Sequence, residues 1–189
     1  MTDKETFNPV VASRAAATLT KKIADRTAKV GVIGMGYVGV PTMIATAESG
    51  FYTTGIDTDP DRVKEINSGR SYIEDVKDEV LGSLVISGLV SATSSYEVIR
   101  NLDIILVCVP TPITKFKEPD LGPMQGAVTG LAGNLGQSQL ILFQSTTFPG
   151  STEEFVLPDL ERNGQKAGTD FFLAFALERI DPGNRQFLV

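Results

Sequence analysis

The sequence predicts an α/β fold: a doubly wound, mostly parallel sheet with helices on both faces, forming a single domain behind an N-terminal helical arm. Three observations predict it. From Lys29 onward, short Val- and Ile-rich runs alternate with amphipathic stretches. The first such run leads directly into a glycine-rich turn that opens a helix. The runs Asp103–Val109 and Leu140–Gln144 are apolar almost throughout, as in strands covered on both faces.

Taken in order, residues 1–27 stand apart as a polar start followed by a helix over Val11–Arg26, with Val11, Ala15, Leu19 and Ile23 spaced by four. This is a lead-in helix or a mobile arm, with an oligomer contact as the alternative. Residues 28–189 form the α/β domain. Lys29–Ile33 is its first strand, and Tyr37–Ser49 a helix stopped by Gly50. Phe51–Ile56 is a second strand ending at Asp57. Pro60–Ser68 is a helix with proline in its first turn and Gly69 past its end. A helix near Val76–Ser87 precedes a strand over Leu89–Thr93. Asp103–Val109 and Leu140–Gln144 are strands, Ser151–Arg162 a helix, and Phe171–Ala176 a final strand. The stretch Pro110–Pro123 is long and proline-rich, which predicts a functional or mobile loop. Parallel strands joined by helices cross over right-handedly.

Composition narrows the function. The 189 residues carry a net charge of −6, which disfavours a nucleic-acid partner because that affinity comes from Lys and Arg on phosphates. With no histidine, the commonest metal ligand and the commonest general base are both missing, and no metal is predicted. One cysteine, Cys108, precludes an internal disulfide and suits a reducing compartment. The sequence has no apolar run of membrane-spanning length and no secretory signal, so the cytoplasm is expected, without a membrane partner.

Gly34-Met35-Gly36-Tyr37-Val38-Gly39 has the G-x-G-x-x-G spacing. The first glycine permits a tight turn, the second a close approach of backbone to a pyrophosphate, and the third close packing of helix on strand. The helix N-terminus adds unpaired N–H groups and a positive dipole end. Asp57 lies 18 residues beyond Gly39, near the spacing of about 20 expected for a ribose-binding carboxylate. Together these residues predict a Rossmann-type dinucleotide site. A carboxylate at a 2′-hydroxyl repels a 2′-phosphate, so NAD is expected rather than NADP. Arg62 qualifies this, since a nearby arginine can receive a phosphate; it is read as flanking the adenine pocket or as solvated. Two further segments fall at strand C-terminal ends, where ligands bind: Val109-Pro110-Thr111-Pro112 and Ser145-Thr146-Thr147-Phe148-Pro149-Gly150. Their hydroxyls either hold a cofactor ribose, substrate or water, or satisfy loop backbone and cap the next helix. Cys108, inside an apolar strand, reads as a small buried hydrophobe.

These blocks, joined by Glu178-Arg179-Ile180-Asp181-Pro182-Gly183-Asn184, resemble the N-terminal domain of the NAD-dependent nucleotide-sugar (UDP-glucose/GDP-mannose) 6-dehydrogenases from about Lys29 to Phe187. Ser71-Tyr72-Ile73-Glu74-Asp75-Val76, and Thr114-Lys115 followed by Glu118-Pro119-Asp120-Leu121, look most like the UDP-N-acetylglucosamine 6-dehydrogenase branch. UDP-N-acetylmannosamine and UDP-glucose remain open. The resemblance implies oxidation of a sugar C6 alcohol to aldehyde and then carboxylate, with two NAD reduced in turn and a cysteine of the enzyme's second half trapping the aldehyde. It implies cofactor contacts from Gly34, Gly36, Tyr37, Val38, Gly39, Asp57, Arg62, Val109, Pro110, Thr111 and Ser145. Thr146 would position a catalytic water, and Glu178 would take part in hydrolysis or cofactor contact. Cys108 matches the structural cysteine of the first domain. The sequence departs from the pattern at Ala176-Leu177, where the family has Ser-Pro before the glutamate. It also ends at Val189, before the central helix, the active-site lysine, the nucleophilic cysteine and the UDP-binding domain. The expectation is the cofactor domain of a polysaccharide-biosynthesis dehydrogenase, inactive alone and able to form a homo-oligomer. The alternative is a non-catalytic NAD-binding module or the partner of a longer homologue.

Overall fold

The computed structural model describes residues 9–176. Six strands, β1 (Lys29–Ile33), β2 (Tyr52–Ile56), β3 (Val90–Thr93), β4 (Ile104–Val107), β5 (Gln139–Phe143) and β6 (Phe171–Phe175), form one sheet in the order β3-β2-β1-β4-β5-β6. Every pairing is parallel. This is the doubly wound arrangement in which chain direction across the sheet reverses between β1 and β4, opening a crevice at their C-terminal ends.

The strands alternate with period two between two apolar cores. In β1, Val30 and Val32 face one side, with Val40, Met43 and Ala47 of α2 (Gly39–Glu48). Ile33 faces the other side, with Ile105 and Val107 of β4 and Ile141 and Phe143 of β5. Burial on both faces is why the central strands read as continuous hydrophobic runs. On the first side lie α3 (Pro60–Asn67) and α4 (Asp78–Ile86). The side chain of Asp59 caps α3 by accepting from the Asp61 N–H at 2.9 Å, with Pro60 in the first turn.

The second core is closed by α5 (Gly122–Ala132), for which the sequence reading assigned no element. Glycines at 122, 126 and 130 lower its helix propensity and mask it. The legible signals are Pro123 in the first turn and the buried stripe Met124, Ala127, Val128 and Leu131 at i, i+3, i+4 and i+7. A 3₁₀ segment over Tyr96–Asn101 was likewise unforeseen. The predicted Ser151–Arg162 helix is irregular: a π-turn over Thr152–Val156, a short α6 (Leu157–Leu160), then a 3₁₀ turn over Glu161–Asn163. Pro158 lies at the join and cannot donate a backbone hydrogen bond.

The first helix, α1 (Pro9–Ala24), is docked on the domain. Leu19 is buried, Ile23 packs against the first core, and Lys22 Nζ pairs with Asp103 Oδ1 at 2.5 Å. Asp103 Oδ2 also accepts from the Lys29 N–H at 2.9 Å, tying the entry of β1 to that of β4. Arg26 lies over the Phe51 ring at 4.9 Å. The Pro110–Pro123 loop is organised by Thr114, whose hydroxyl accepts from the N–H groups of Phe116 and Glu118 at 3.3 Å each. No helix among the described residues is long and apolar enough to cross a membrane.

The tightest contact lies where β1 passes into α2. A Cβ built on Gly39 would stand 1.8 Å from the Gly34 carbonyl oxygen. Gly39→Ala must therefore lift α2 from the sheet, and a urea melt should show a loss of about 1–3 kcal/mol or more, the scale of core overpacking.

Candidate cofactor site

The turn after β1 is shaped by backbone alone. Gly34 has φ of +89° and sits so close to β4 that an added Cβ would meet the Cys108 carbonyl oxygen at 2.8 Å. Its N–H donates to the Ile56 carbonyl at 2.8 Å, holding the turn against β2. Helix α2 then starts at Gly39 with no side-chain cap at Val38 and no acidic residue in its first turn. An anion thus meets uncapped N–H groups and the positive end of the helix dipole, with no carboxylate competing. A Cβ built on Gly36 meets nothing within 4 Å, so the second glycine faces open cleft.

Asp57 emerges from the end of β2, 8% exposed. Its Oδ2 accepts from the Met35 N–H at 2.7 Å, and its Oδ1 from the Asp59 N–H at 3.0 Å. Oδ1 keeps a further lone pair that can receive a hydroxyl, whereas Oδ2 also accepts from Arg62 Nη1. Arg62 is not simply solvated: its Nη1 lies 3.4 Å from Asp57 Oδ2, its Nε 3.6 Å from Asp59 Oδ2, and its guanidinium 5.7 Å above the Tyr72 ring. The Tyr72 hydroxyl donates to the Met35 carbonyl at 2.7 Å.

The crevice between β1 and β4 has two parts. A space of about 440 Å³ is bounded by Gly34, Ile56, Asp57, Thr58, Tyr96 and, from α5, Gly126 and Ala127. A second of about 360 Å³ is bounded by Tyr37, Val38, Thr111, Gln144, Ser145 and Thr146. Gly36, Arg62, Val109 and Pro110 border both. Thus the predicted residues Gly34, Gly36, Tyr37, Val38, Asp57, Arg62, Val109, Pro110, Thr111, Ser145 and Thr146 converge on one crevice, while Gly39 underlies it. Glu178 and Leu177 lie outside the described residues.

The loops after β4 and β5 are tied to each other: the Thr111 hydroxyl donates to the Thr146 carbonyl at 2.6 Å. The buried Ser145 hydroxyl donates to the Val107 carbonyl at 3.3 Å, and the Cys108 thiol to Gln144 Oε1 at 3.2 Å. Ser145 therefore satisfies backbone while bordering the cleft, and the Thr146 side chain is exposed to it. Cys108 is 6% exposed in the apolar strand exit, as its sequence setting implies.

Sequence reasoning assigned no role to Tyr72, Tyr96, Gln144 or the α5 residues at this crevice. Tyr72 lay inside a quoted block, and the β4–β5 crossover had to supply a helix near the strand ends; both signals were present. Burial pushes the Tyr72 phenol up to about 12 against the lowering effect of Arg62, with Asp57 and Asp59 adding to the rise. Burial, and then Asp57, also raises Tyr96.

Fold, glycine turn and strand-end carboxylate together define a dinucleotide-binding domain. The chain belongs to the UDP-glucose/GDP-mannose dehydrogenase family, whose NAD binding domain matches residues 28–187. It is 33% identical over 156 residues to a UDP-N-acetyl-D-mannosamine dehydrogenase of Pyrococcus horikoshii, covering 82% of this chain and 37% of that protein. It is 32% identical over 162 residues to a UDP-N-acetyl-D-glucosamine 6-dehydrogenase of Pseudomonas aeruginosa, covering 85% and 37%. The solved UDP-D-ManNAc dehydrogenase from P. horikoshii superposes with a TM-score of 0.77 at 34% identity, over 82% of this chain and 37% of that one. The chain thus spans little more than a third of the length of these relatives. NAD is the cofactor of the matched domain. The uncapped helix, the open face of Gly36 and the remaining lone pair of Asp57 Oδ1 fit it.

Two measurements check the site. Gly36→Ala should leave stability within about 0.5 kcal/mol, because its Cβ meets nothing in the free protein. It should nonetheless weaken NAD about tenfold or more, by occupying the space the pyrophosphate needs. Ultraviolet titration of the four tyrosines should show one phenol with a midpoint near 12, lost in Tyr72→Phe. Because the folded pKa lies above the ordinary 10.0, this tyrosine's contribution to stability is complete below pH 10 and falls away between pH 10 and about 12.

Proposed function

We propose that this chain is the cofactor-binding part of an NAD-dependent dehydrogenase that oxidises the C6 alcohol of a UDP-sugar to a carboxylate, UDP-N-acetylglucosamine first among the candidates. The observation that carries this reading is the convergence of the glycine turn, Asp57 and the Val109–Thr111 and Ser145–Thr146 loops on one crevice in a member of this family. The resemblance of Ser71–Val76 and Thr114–Leu121 supports the choice of sugar.

In this reading, Asp57 accepts hydrogen bonds from the adenosine ribose, and the adenine lies in the larger space between Ile56, Tyr96 and α5. The uncapped N-terminus of α2 receives the pyrophosphate. The 360 Å³ space directs the other half of the cofactor toward Thr111 and Thr146. When bound, NAD supplies a hydride acceptor. Asp57 selects against NADP by repelling a 2′-phosphate, and Arg62, paired with Asp57 and Asp59, is already engaged with carboxylates. Thr146 presents an exposed hydroxyl that can hold a water, and Glu178 is assigned to hydrolysis or cofactor contact.

The covalent step of this chemistry needs an accessible thiolate. Within these 189 residues the only cysteine is Cys108, buried and bonded to Gln144, so these residues alone bind cofactor without turning over. The expected outcome is NAD binding by calorimetry with no steady NADH production from UDP-N-acetylglucosamine; sustained turnover would contradict the proposal. Asp57→Ala should cost about 1–3 kcal/mol of NAD affinity and narrow the preference over NADP. Unchanged affinity would remove Asp57 from the ribose site.

A further inference from the structure

Four contacts close a circuit between two parts of the crevice. The Tyr72 hydroxyl donates to the Met35 carbonyl at 2.7 Å, and the Met35 N–H donates to Asp57 Oδ2 at 2.7 Å. Arg62 Nη1 lies 3.4 Å from that same oxygen, and its guanidinium covers the Tyr72 ring at 5.7 Å. Met35 itself is fully buried, so both sides of this residue in the glycine turn are held by side chains from other elements: Asp57 at the end of β2, and Tyr72 between α3 and α4.

The consequence follows from peptide geometry. The Met35 carbonyl and the Gly36 N–H belong to one planar trans peptide and point to opposite sides of it. Tethering the carbonyl to Tyr72 therefore turns the Gly36 N–H away from Tyr72 and fixes the rotation of the plane. Gly36 is the residue of the turn that borders both spaces of the crevice, and glycine left untethered is the residue freest to rotate. We propose that Tyr72 is a positioning residue for the diphosphate: its hydroxyl presets the Met35–Gly36 peptide so that the phosphate-binding turn is ordered before a ligand arrives. The phenol remains a neutral donor through the whole physiological range, because burial holds it protonated. Its ring additionally carries Arg62, which in turn flanks the ribose carboxylate, so the diphosphate and ribose contacts are organised by one side chain.

The inference rests on the reading of this crevice as a dinucleotide site, and the test separates the two. Calorimetry on the full 189-residue chain compares ADP, which reaches the turn, with adenosine, which reaches only the ribose and adenine contacts. Tyr72→Phe keeps the ring beneath Arg62 and removes only the hydroxyl. It should weaken ADP about five- to tenfold, the scale of one hydrogen bond, and change adenosine less than twofold. Tyr52→Phe, at an exposed tyrosine, should leave both unchanged. The amide resonance of Gly36 in the ligand-free protein, followed by heteronuclear NMR, should shift and broaden in Tyr72→Phe, and this reads the preset turn without any ligand. An unchanged ADP affinity, or an equal loss for ADP and adenosine, overturns the positioning role while leaving the dinucleotide reading intact. A wild-type chain that binds neither ligand overturns both.

Discussion

The close approach of α2 to the exit of β1 is the constraint from which the crevice follows. Gly39 lies against the Gly34 carbonyl with no room for a side chain, and Gly34 lies against the backbone at Cys108. The first contact sets how near the helix N-terminus stands to the sheet; the second sets how near the turn stands to β4. With both distances at their minimum, the uncapped N–H groups of α2 open directly onto the gap between β1 and β4. Because chain direction across the sheet reverses there, the helices that follow β1 and β4 lie on opposite faces of the sheet and leave the crevice between them.

Around this backbone frame, the polar groups are few and mutually held. Asp57, buried at the end of β2, is held by two amide donors and Arg62, while the phenols of Tyr72 and Tyr96 are kept neutral by burial. On the far side, the Thr111–Thr146 bond joins the two loops, and Ser145 is anchored to the β4 backbone. Both walls of the crevice are thus cross-linked by hydrogen bonds, and acceptor and donor capacity remains at Asp57 Oδ1 and at the helix N-terminus. Such a surface suits a ligand with a diol at one end and a diphosphate in the middle.

Membership in the UDP-glucose/GDP-mannose dehydrogenase family places this chain among relatives of which it matches 37% of the length. The division of labour is visible in the residues. The residues lining the crevice fall within Ile33–Thr146, whereas the single cysteine is packed into the strand exit and bonded to Gln144. Relatives named for UDP-N-acetyl-D-mannosamine and UDP-N-acetyl-D-glucosamine match at nearly equal identity.

The strand positions and the glycine–aspartate pair were legible in the sequence for a physical reason. Strands buried on both faces need unbroken apolar runs, and a turn pressed against two backbones admits only glycine, so Val30–Ile33, Ile104–Val107, Gly34 and Gly39 carry their own signatures. Helix α5 was not legible because its glycines depress helix propensity, and its stability comes from the stripe Met124, Ala127, Val128 and Leu131 packing on the second core. The irregular Thr152–Asn163 segment, with its internal Pro158, likewise reads as one helix until packing and backbone bonds are seen. Local pattern alone carries the glycine turn, its spacing to Asp57 and the apolar strands that frame them. Packing sets the rest: Arg62 pairs with Asp57, Ser145 bonds backbone, and Tyr72 reaches the Met35 carbonyl. Those contacts join residues distant along the chain, and their geometry is set by how α3, α4 and the strand ends pack, which no local pattern encodes.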